Sequence, residues 1–326
     1  MPDTPATDTI VVGSGLNISF LKDGDLAALD QVLADYVAIG CSHVEVTARR
    51  LDMIAGGRIV EERADAVAEI LARHDIRPVL HADHAINMMD LPNADMHRAL
   101  AEASITLAGR MGMASIVMHS GCVPADVWLA SRDDLLFAER EAFRRFGDLA
   151  GEAGVQLAVE NLIADPWGRI AVTGADPRAV ADQIGAIDHP AVGGCLDFGH
   201  AFLSAPVLGF DFTEAVAAFS EQVWHLHLHD NCGIPNTGRY PDEGSHVSLG
   251  IGDLHMPMGW GTIPWADVLP RMRFRPGTYA MIELKGRYRA VEADVAATAA
   301  RFGGYWNGAL ALDDALPVGA LKEAAE

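Results

Sequence analysis

The stretch Trp224–Asn231, WHLHLHDN, sets a histidine at every second position and then a carboxylate. It belongs to a short compact run, Val223–Asp230, of the kind expected for a strand buried on both faces. Side chains alternate across a strand, so one parity is expected to face a barrel interior and the other the surrounding helices. On that reading at most two of His225, His227 and His229, or His227 alone, can be ligands.

Seven similar runs lie around it: Ile10–Phe20, His43–Thr47, Arg77–Ala82, Ser115–Ser120, Val155–Asn161, Val192–Phe198 and Tyr279–Lys285. The first is interrupted by Gly13 and Gly15. Between the runs the spacing turns helical. Leu26, Leu29, Val32, Leu33 and Tyr36 form one stripe, and Arg58–His74, Asp95–Met113, Asp133–Gly154 and Asp294–Phe302 are amphipathic. Asp176–Pro177 reads as an N-cap followed by proline at the first helical position, opening a helix toward Ile187. Eight strands alternating with helices predict an α/β fold, a single (β/α)8 TIM barrel. An open doubly wound sheet is disfavoured because no Gly-rich phosphate loop follows the first strand. The barrel is expected over residues 1–306, followed by an Ala/Leu/Glu tail, residues 307–326, that reads as a docked helix. Two βα loops are long, Leu162–Ala175 after strand five and Asn231–Ile263 after strand seven. Such loops are usually functional and would lie on the C-terminal face of the barrel.

Half the residues are apolar and 21% are charged, which excludes a disordered or collagen-like chain. The formal net charge of −21 repels phosphate backbones, so a nucleic-acid partner is not expected. Cys41, Cys122, Cys195 and Cys232 form no CxxC, and Met1–Thr9 lacks the basic and apolar regions of a secretory signal. Together these predict reduced thiols in a cytoplasmic protein. No apolar run approaches the ~20 residues that span a bilayer, so no membrane partner is expected.

The chemistry gathers at the strand ends. His81 and His84 close the third strand, His119 the fourth, Glu160 and Asn161 the fifth, Asp197 and His200 the sixth, and Glu283 the eighth. Asp253 and His255 lie on the loop after the seventh. Barrel strand ends converge on one pocket, and six successive ends carry metal-capable groups. A mixed imidazole and carboxylate set suits Zn, Mn, Fe or Co better than Ca. His84 is expected to face a neighbouring loop, and Glu45 to satisfy a buried arginine.

The segments VEN, CLDFGHAF, HLHD and MIEL resemble motifs of the xylose-isomerase-like TIM-barrel superfamily, which includes sugar isomerases, ketose 3-epimerases and endonuclease IV nucleases. The resemblance runs from about Val44 to Phe302 and implies Glu160, Asp197, His227 and Glu283 as core metal ligands. His200 matches a second-position histidine of the same pattern. HADHAINM, MHSG and DLHMPMGWGTI also resemble the endonuclease IV branch, which implies His81, His119, His200, Asp253 and His255 as further ligands of a multinuclear site. The implied cofactor is therefore one to three divalent ions per chain. Two positions depart from that branch: His84 stands in place of a tyrosine, and His229 turns the usual HLND into HLHD. The segment HMPMGWGTI equally resembles the H-x-P-x-G-x-G-x-I of acidic sugar isomerases.

The favoured function is a divalent-metal-dependent sugar, sugar-phosphate or polyol isomerase or epimerase working through an enediolate. Glu160 and Glu283 are its expected proton-transfer groups, and His200 orients a substrate oxygen or moves a proton. The alternative is an endonuclease IV-like multinuclear zinc phosphodiesterase acting on a phosphoester. A purely structural metal site is disfavoured, because structural zinc prefers closed thiolate sets. The partner is a small sugar-like or anionic molecule, and a homo-oligomer is compatible with the sequence. Lys285 and Arg287 are expected to anchor an anionic group, with Trp167 and Trp260 stacking on a sugar face.

Overall fold

The computed structural model describes residues 9–317. Eight parallel strands close on themselves: β1 (Val11–Asn17), β2 (His43–Thr47), β3 (Arg77–His81), β4 (Ser115–His119), β5 (Gln156–Glu160), β6 (Val192–Asp197), β7 (Val223–Leu228) and β8 (Thr278–Ile282). Neighbours in sequence are neighbours in space, and β1 completes the ring against β8, Val11 opposite Thr278 and Leu16 opposite Ile282. The glycines of β1 are required by close approach. A Cβ at Gly13 would lie 2.1 Å from the His43 ring, and one at Gly15 would lie 1.6 Å from the His43 carbonyl oxygen.

The surrounding helices are α1 (Leu26–Ala38), α2 (Glu61–Leu71), α3 (Ala94–Arg110), α4 (Ala125–Ala153), α5 (Pro177–Ile187), α6 (Phe198–Leu208), α7 (Phe212–Ser220), α8 (Glu243–Leu249), α9 (Trp265–Val268), α10 (Glu292–Trp306) and α11 (Leu312–Ala315). Helix α1 starts where the Asp25 carboxylate accepts the Ala28 amide at 3.0 Å, and it buries the expected stripe from Leu29 to Tyr36. Asp176 caps α5 in the same way, with Pro177 in the first turn. Their apolar faces pack on the outside of the strands in one continuous core.

The structure corrects several boundaries. Helix α2 begins at Glu61 rather than Arg58, because Arg58–Ile59 pairs antiparallel with Ile54–Ala55. Helix α4 begins at Ala125 rather than Asp133, with a kink at Ser131, where φ is −141°. The loop after β7 contains α8, and α6 and α7 fill the connection between β6 and β7. Of the expected tail helix, α11 has four residues, and Ala315 and Leu316 are buried. Residues 318–326 lie outside the described residues. No helix among the described residues is long and apolar enough to cross a membrane.

Candidate metal centre

Glu160, at the C-terminal end of β5, is the hub of the barrel mouth. Its Oε1 lies 3.0 Å from His227 Nδ1 and 3.3 Å from His200 Nδ1. Its Oε2 lies 3.3 Å from His81 Nε2 and 3.4 Å from His119 Nε2. Burial opposes the charge on this carboxylate, yet the imidazoles, His227 foremost, hold its pKa well below the usual range. His227 Nδ1 also lies 3.7 Å from Asp197 Oδ2 and 3.7 Å from Glu283 Oε2. The fold supplies the rigidity. Asp197 is the N-cap of α6, its Oδ1 accepting the His200 amide at 2.7 Å and leaving Oδ2 toward the mouth. Gly199 clears space beside it, since a Cβ there would lie 2.0 Å from the His229 ring.

The outer part of the cluster is built by the loop after β7. His255 Nε2 lies 2.6 Å from Asp253 Oδ2, and the His255 ring stacks on His229 with centroids 4.1 Å apart. His255 holds a φ of 43°, a left-handed backbone that is costly for a residue with a Cβ. Lys285 Nζ donates to the Asp253 carbonyl at 2.9 Å, tying this loop to the end of β8. Burial opposes the charge on both His81 and His255, yet Glu160 beside the first and Asp253 beside the second hold each ring up at about 9. Burial instead pushes His119 down to about 3, in spite of Glu160.

The donor chemistry fits a divalent cation. Nδ1 of His81, His200 and His255 faces the carbonyl oxygens of Ala82, Asn161 and Glu283 at 2.7, 3.0 and 3.1 Å. A carbonyl only accepts, so each Nδ1 donates outward, and Nε2 of His81, His200 and His255 is turned to a carboxylate of the cluster, Glu160 at 3.3 Å for the first and Asp253 at 3.9 and 2.6 Å for the other two. Nδ1 of His229 and Oδ1 of Asp253 are buried with no hydrogen-bond partner, and they lie 4.0 Å apart. Unpartnered buried groups of this kind call for a cation or an ordered water. Three further donor sets have ligand atoms within 4.8 Å of one another: His81, Glu160 and His227; His200, His229, Asp253 and His255; and His81, His84 and His119.

Comparison with known proteins fits this geometry. Residues 33–303 match the family described as xylose isomerase-like TIM barrel. The chain belongs to that family. No curated protein matches it by sequence. Among solved structures, a D-tagatose 3-epimerase-like protein superposes with a TM-score of 0.67 at 17% identity, covering 92% of this chain and all of its own. A 3-keto-D-glucoside 4-epimerase, YcjR from E. coli, gives 0.62 at 13% identity, covering 88% of this chain and 98% of its own. The IOLI protein, described with a binding zinc atom, gives 0.62 at 14% identity, covering 91% and 98%.

In this xylose isomerase-like barrel the four core residues, Glu160, Asp197, His227 and Glu283, meet at the mouth, joined there by His81, His119, His200, Asp253 and His255. Four expectations are corrected. First, His225, His227 and His229 are two residues apart and share one parity, so all three face inward: His225 to Glu45, His227 to Glu160, and His229 to Asp197. Second, Glu45 satisfies no arginine, because its Oε2 receives His225 and His227. Third, His84 sits in the mouth, its ring stacked on His119 at 4.8 Å. Fourth, only Lys285 of the expected substrate contacts lines the pocket, a cavity of about 280 Å³. Arg287 pairs with Glu243 of α8 at 2.6 Å. Trp167 is 59% exposed and lies under Arg169, while Trp260 packs edge-on against Tyr288. The sequence reading passed over Asn17, Arg49 and Arg50 as pocket residues. Glu45 did carry a signal, a carboxylate within the strand HVEVT, whose five residues are all buried.

Proposed function

We propose that this chain is a divalent-metal-dependent isomerase or epimerase acting on a sugar, a sugar phosphate or a related polyol. The observation that carries this reading is that Glu160, Asp197, His227 and Glu283 meet beside a pocket of small-molecule size, with Glu160 and Glu283 in its wall. The epimerase titles among the structural neighbours support it. Glu160, Asp197, His227 and Glu283 would hold the ion. When bound, it supplies Lewis-acid polarisation of adjacent carbonyl and hydroxyl oxygens. The two glutamates differ in what holds them. Glu160 is locked among four imidazoles, while the Glu283 carboxylate lies on the pocket wall 3.7 Å from His227 and His255. Glu283 takes the proton from the carbon between the substrate oxygens, Glu160 serves the opposite face, and His200 orients a substrate oxygen. Lys285 on the rim suits an anionic group. The four free cysteines favour a reducing, cytoplasmic setting.

One observation favours a second reading, a multinuclear phosphoester hydrolase. The donor sets around Asp253 and around His84 offer ligands for additional ions. Two measurements separate the readings. Protein purified without added metal is expected to hold about one ion per chain, and three tightly held zincs would favour hydrolysis. Wild type is expected to exchange the α-hydrogen of a ketose with solvent deuterium, and Glu283→Gln to lose that exchange by ~10²–10⁴-fold with metal in excess. Hydrolysis of a phosphodiester without exchange on any ketose would sink the isomerase reading.

A further inference from the structure

The strand ends around the mouth divide into two arcs. The imidazoles and carboxylates of the candidate metal centre come from β3–β8 and the loops that follow them. Much of the remaining pocket wall comes from the other side of the ring, where β1 lies between β8 and β2. Asn17 and Ser19 stand at the end of β1, Thr47, Arg49 and Arg50 at the end of β2, and Lys285 just past β8. Neither functional reading gives Asn17 or Arg49 a task. Three cations therefore gather on this arc, in a chain whose net charge is −21. Two of them are held by the chain itself. Arg50 Nη1 pairs with Asp23 at 2.7 Å, and Lys285 Nζ donates to the Asp253 carbonyl at 2.9 Å and lies 3.8 Å from Glu243. Arg49, exposed on the rim, has no hydrogen-bond or ion-pair partner for its side chain among the described residues. Asn17 is also incomplete. It is 5% exposed, its Nδ2 donates to Ser19 Oγ at 3.0 Å, and its Oδ1 is buried with no partner. A buried acceptor in that state calls for a donor brought from outside the chain, and a sugar hydroxyl is one.

We infer that the substrate is an acidic sugar, one whose far end carries a phosphate or a carboxylate, and that Arg49 is the residue that selects it. The inference rests on the proposed isomerase or epimerase function and narrows its substrate class. A sugar whose adjacent oxygens are held at the β3–β8 arc extends toward the ends of β1 and β2, because those residues complete the pocket wall. Hydroxyls along the way have neutral partners in Asn17, Ser19 and Thr47. A guanidinium contributes most when it meets an oxyanion. Its planar fork sets two N–H donors on two oxygens at once, and such charge-assisted bonds are roughly twice as strong as neutral ones. Arg50 has its carboxylate in Asp23, and Arg49 is left to take one from the ligand. Lys285, tied to Asp253, adds positive charge to the same rim while it holds the loop after β7.

The test sets each ketopentose and ketohexose beside its terminal phosphate and its terminal carboxylate, all three of one configuration. Metal-loaded wild type is assayed with each for exchange of the α-hydrogen with solvent deuterium. One anionic form is expected to show a kcat/KM about 10-fold or more above the neutral sugar, and the better of the two identifies the group. Arg49→Gln is expected to raise KM for that form about 10-fold or more while kcat changes less, because the contact is remote from the reacting carbon and is made alike in the ground and transition states. Arg49→Lys keeps the charge without the fork and is expected to recover part of the loss, which a purely structural role would not produce. A neutral sugar turned over as well as both anionic forms, or an anion preference that survives Arg49→Gln, overturns the inference and leaves the isomerase reading standing. Exchange with no form of any of these ketoses overturns that reading, and this inference with it.

Discussion

The two long connections at the barrel mouth behave differently in the fold. The loop after β7 delivers Asp253 and His255 to the cluster. The loop after β5 turns away: Ile170–Val172 pairs antiparallel with Cys122–Pro124, and none of residues 162–175 lines the pocket. Each is tied to the scaffold through a buried carboxylate. Asp230, just past β7, accepts the amides of Asn231, Gly259 and Ile263 and the Trp265 indole N–H at 2.8–3.2 Å. Glu139 of α4 accepts the Gly121 amide at 2.6 Å and Gln183 Nε2 at 3.1 Å, and Gly121 in turn receives the Thr173 amide and hydroxyl. Length and composition therefore mark a loop as functional only when its anchor turns it over the strand ends.

The largest effect is expected from breaking the anchor of the loop after β7. Asp230→Ala leaves four donors without their acceptor, several of them buried, and should cost about 3 kcal/mol or more, read as a drop in the denaturant midpoint. The same variant should lose metal affinity, because Asp253 and His255 sit on the released segment. Unchanged metal binding would show that the backbone pairing of Asp230 with Met256 and the ties of Lys285 to Asp253 and His255 hold the loop without the Asp230 carboxylate.

The second anchor makes the comparison sensitive to pH. Burial pushes Glu139 up to about 7, above its ordinary 4.5. The folded state therefore holds this proton more tightly than the unfolded chain. Its stabilising contribution is complete below about pH 4.5 and is lost as pH rises through about 7. Thermal midpoints compared across that window should lose this downward component in Glu139→Gln. Equal pH profiles for the two proteins would mean that Glu139 is already ionised in the fold.

The smallest effect belongs to the loop after β5. Asp165 accepts the amides of Trp167, Arg169 and Ile170 near the surface, so Asp165→Ala should cost ~1 kcal/mol. Trp167→Ala should change stability by no more than ~0.5 kcal/mol, and neither variant should alter metal binding. A tenfold loss of metal affinity in either would return this loop to the site.

The contrast also shows what a single sequence can disclose. Strand positions and the gathering of His, Asp and Glu at the strand ends were legible because they depend on local runs and on one rule, that barrel strand ends converge. His43–Thr47 is recovered residue for residue, and Glu160, Asp197, His227 and Glu283 meet as the motifs imply. The contact of Glu45 with His225 was hidden because the two are 180 residues apart and no local pattern joins them. Trp167 and Trp260 were misplaced because a tryptophan in a loop carries no sign of which way that loop folds. Helix α2 was begun too early because an amphipathic pattern does not reveal that Arg58–Ile59 pairs with Ile54–Ala55.

The closure of β1 on β8 has a consequence for how the centre comes into being. Val11 must find Thr278, so the ring is sealed by a contact between segments far apart in the chain, and such pairings form slowly. His81, His119, Glu160, Asp197 and His227 lie on strands that can assemble as a partial sheet, but Glu283 follows the strand that seals the ring. On a ribosome, the nascent chain would expose an incomplete ligand set until its last barrel strand had emerged. Under the proposed function, cation capture is a late event, one that prolongs the life of the native barrel more than it hastens its formation.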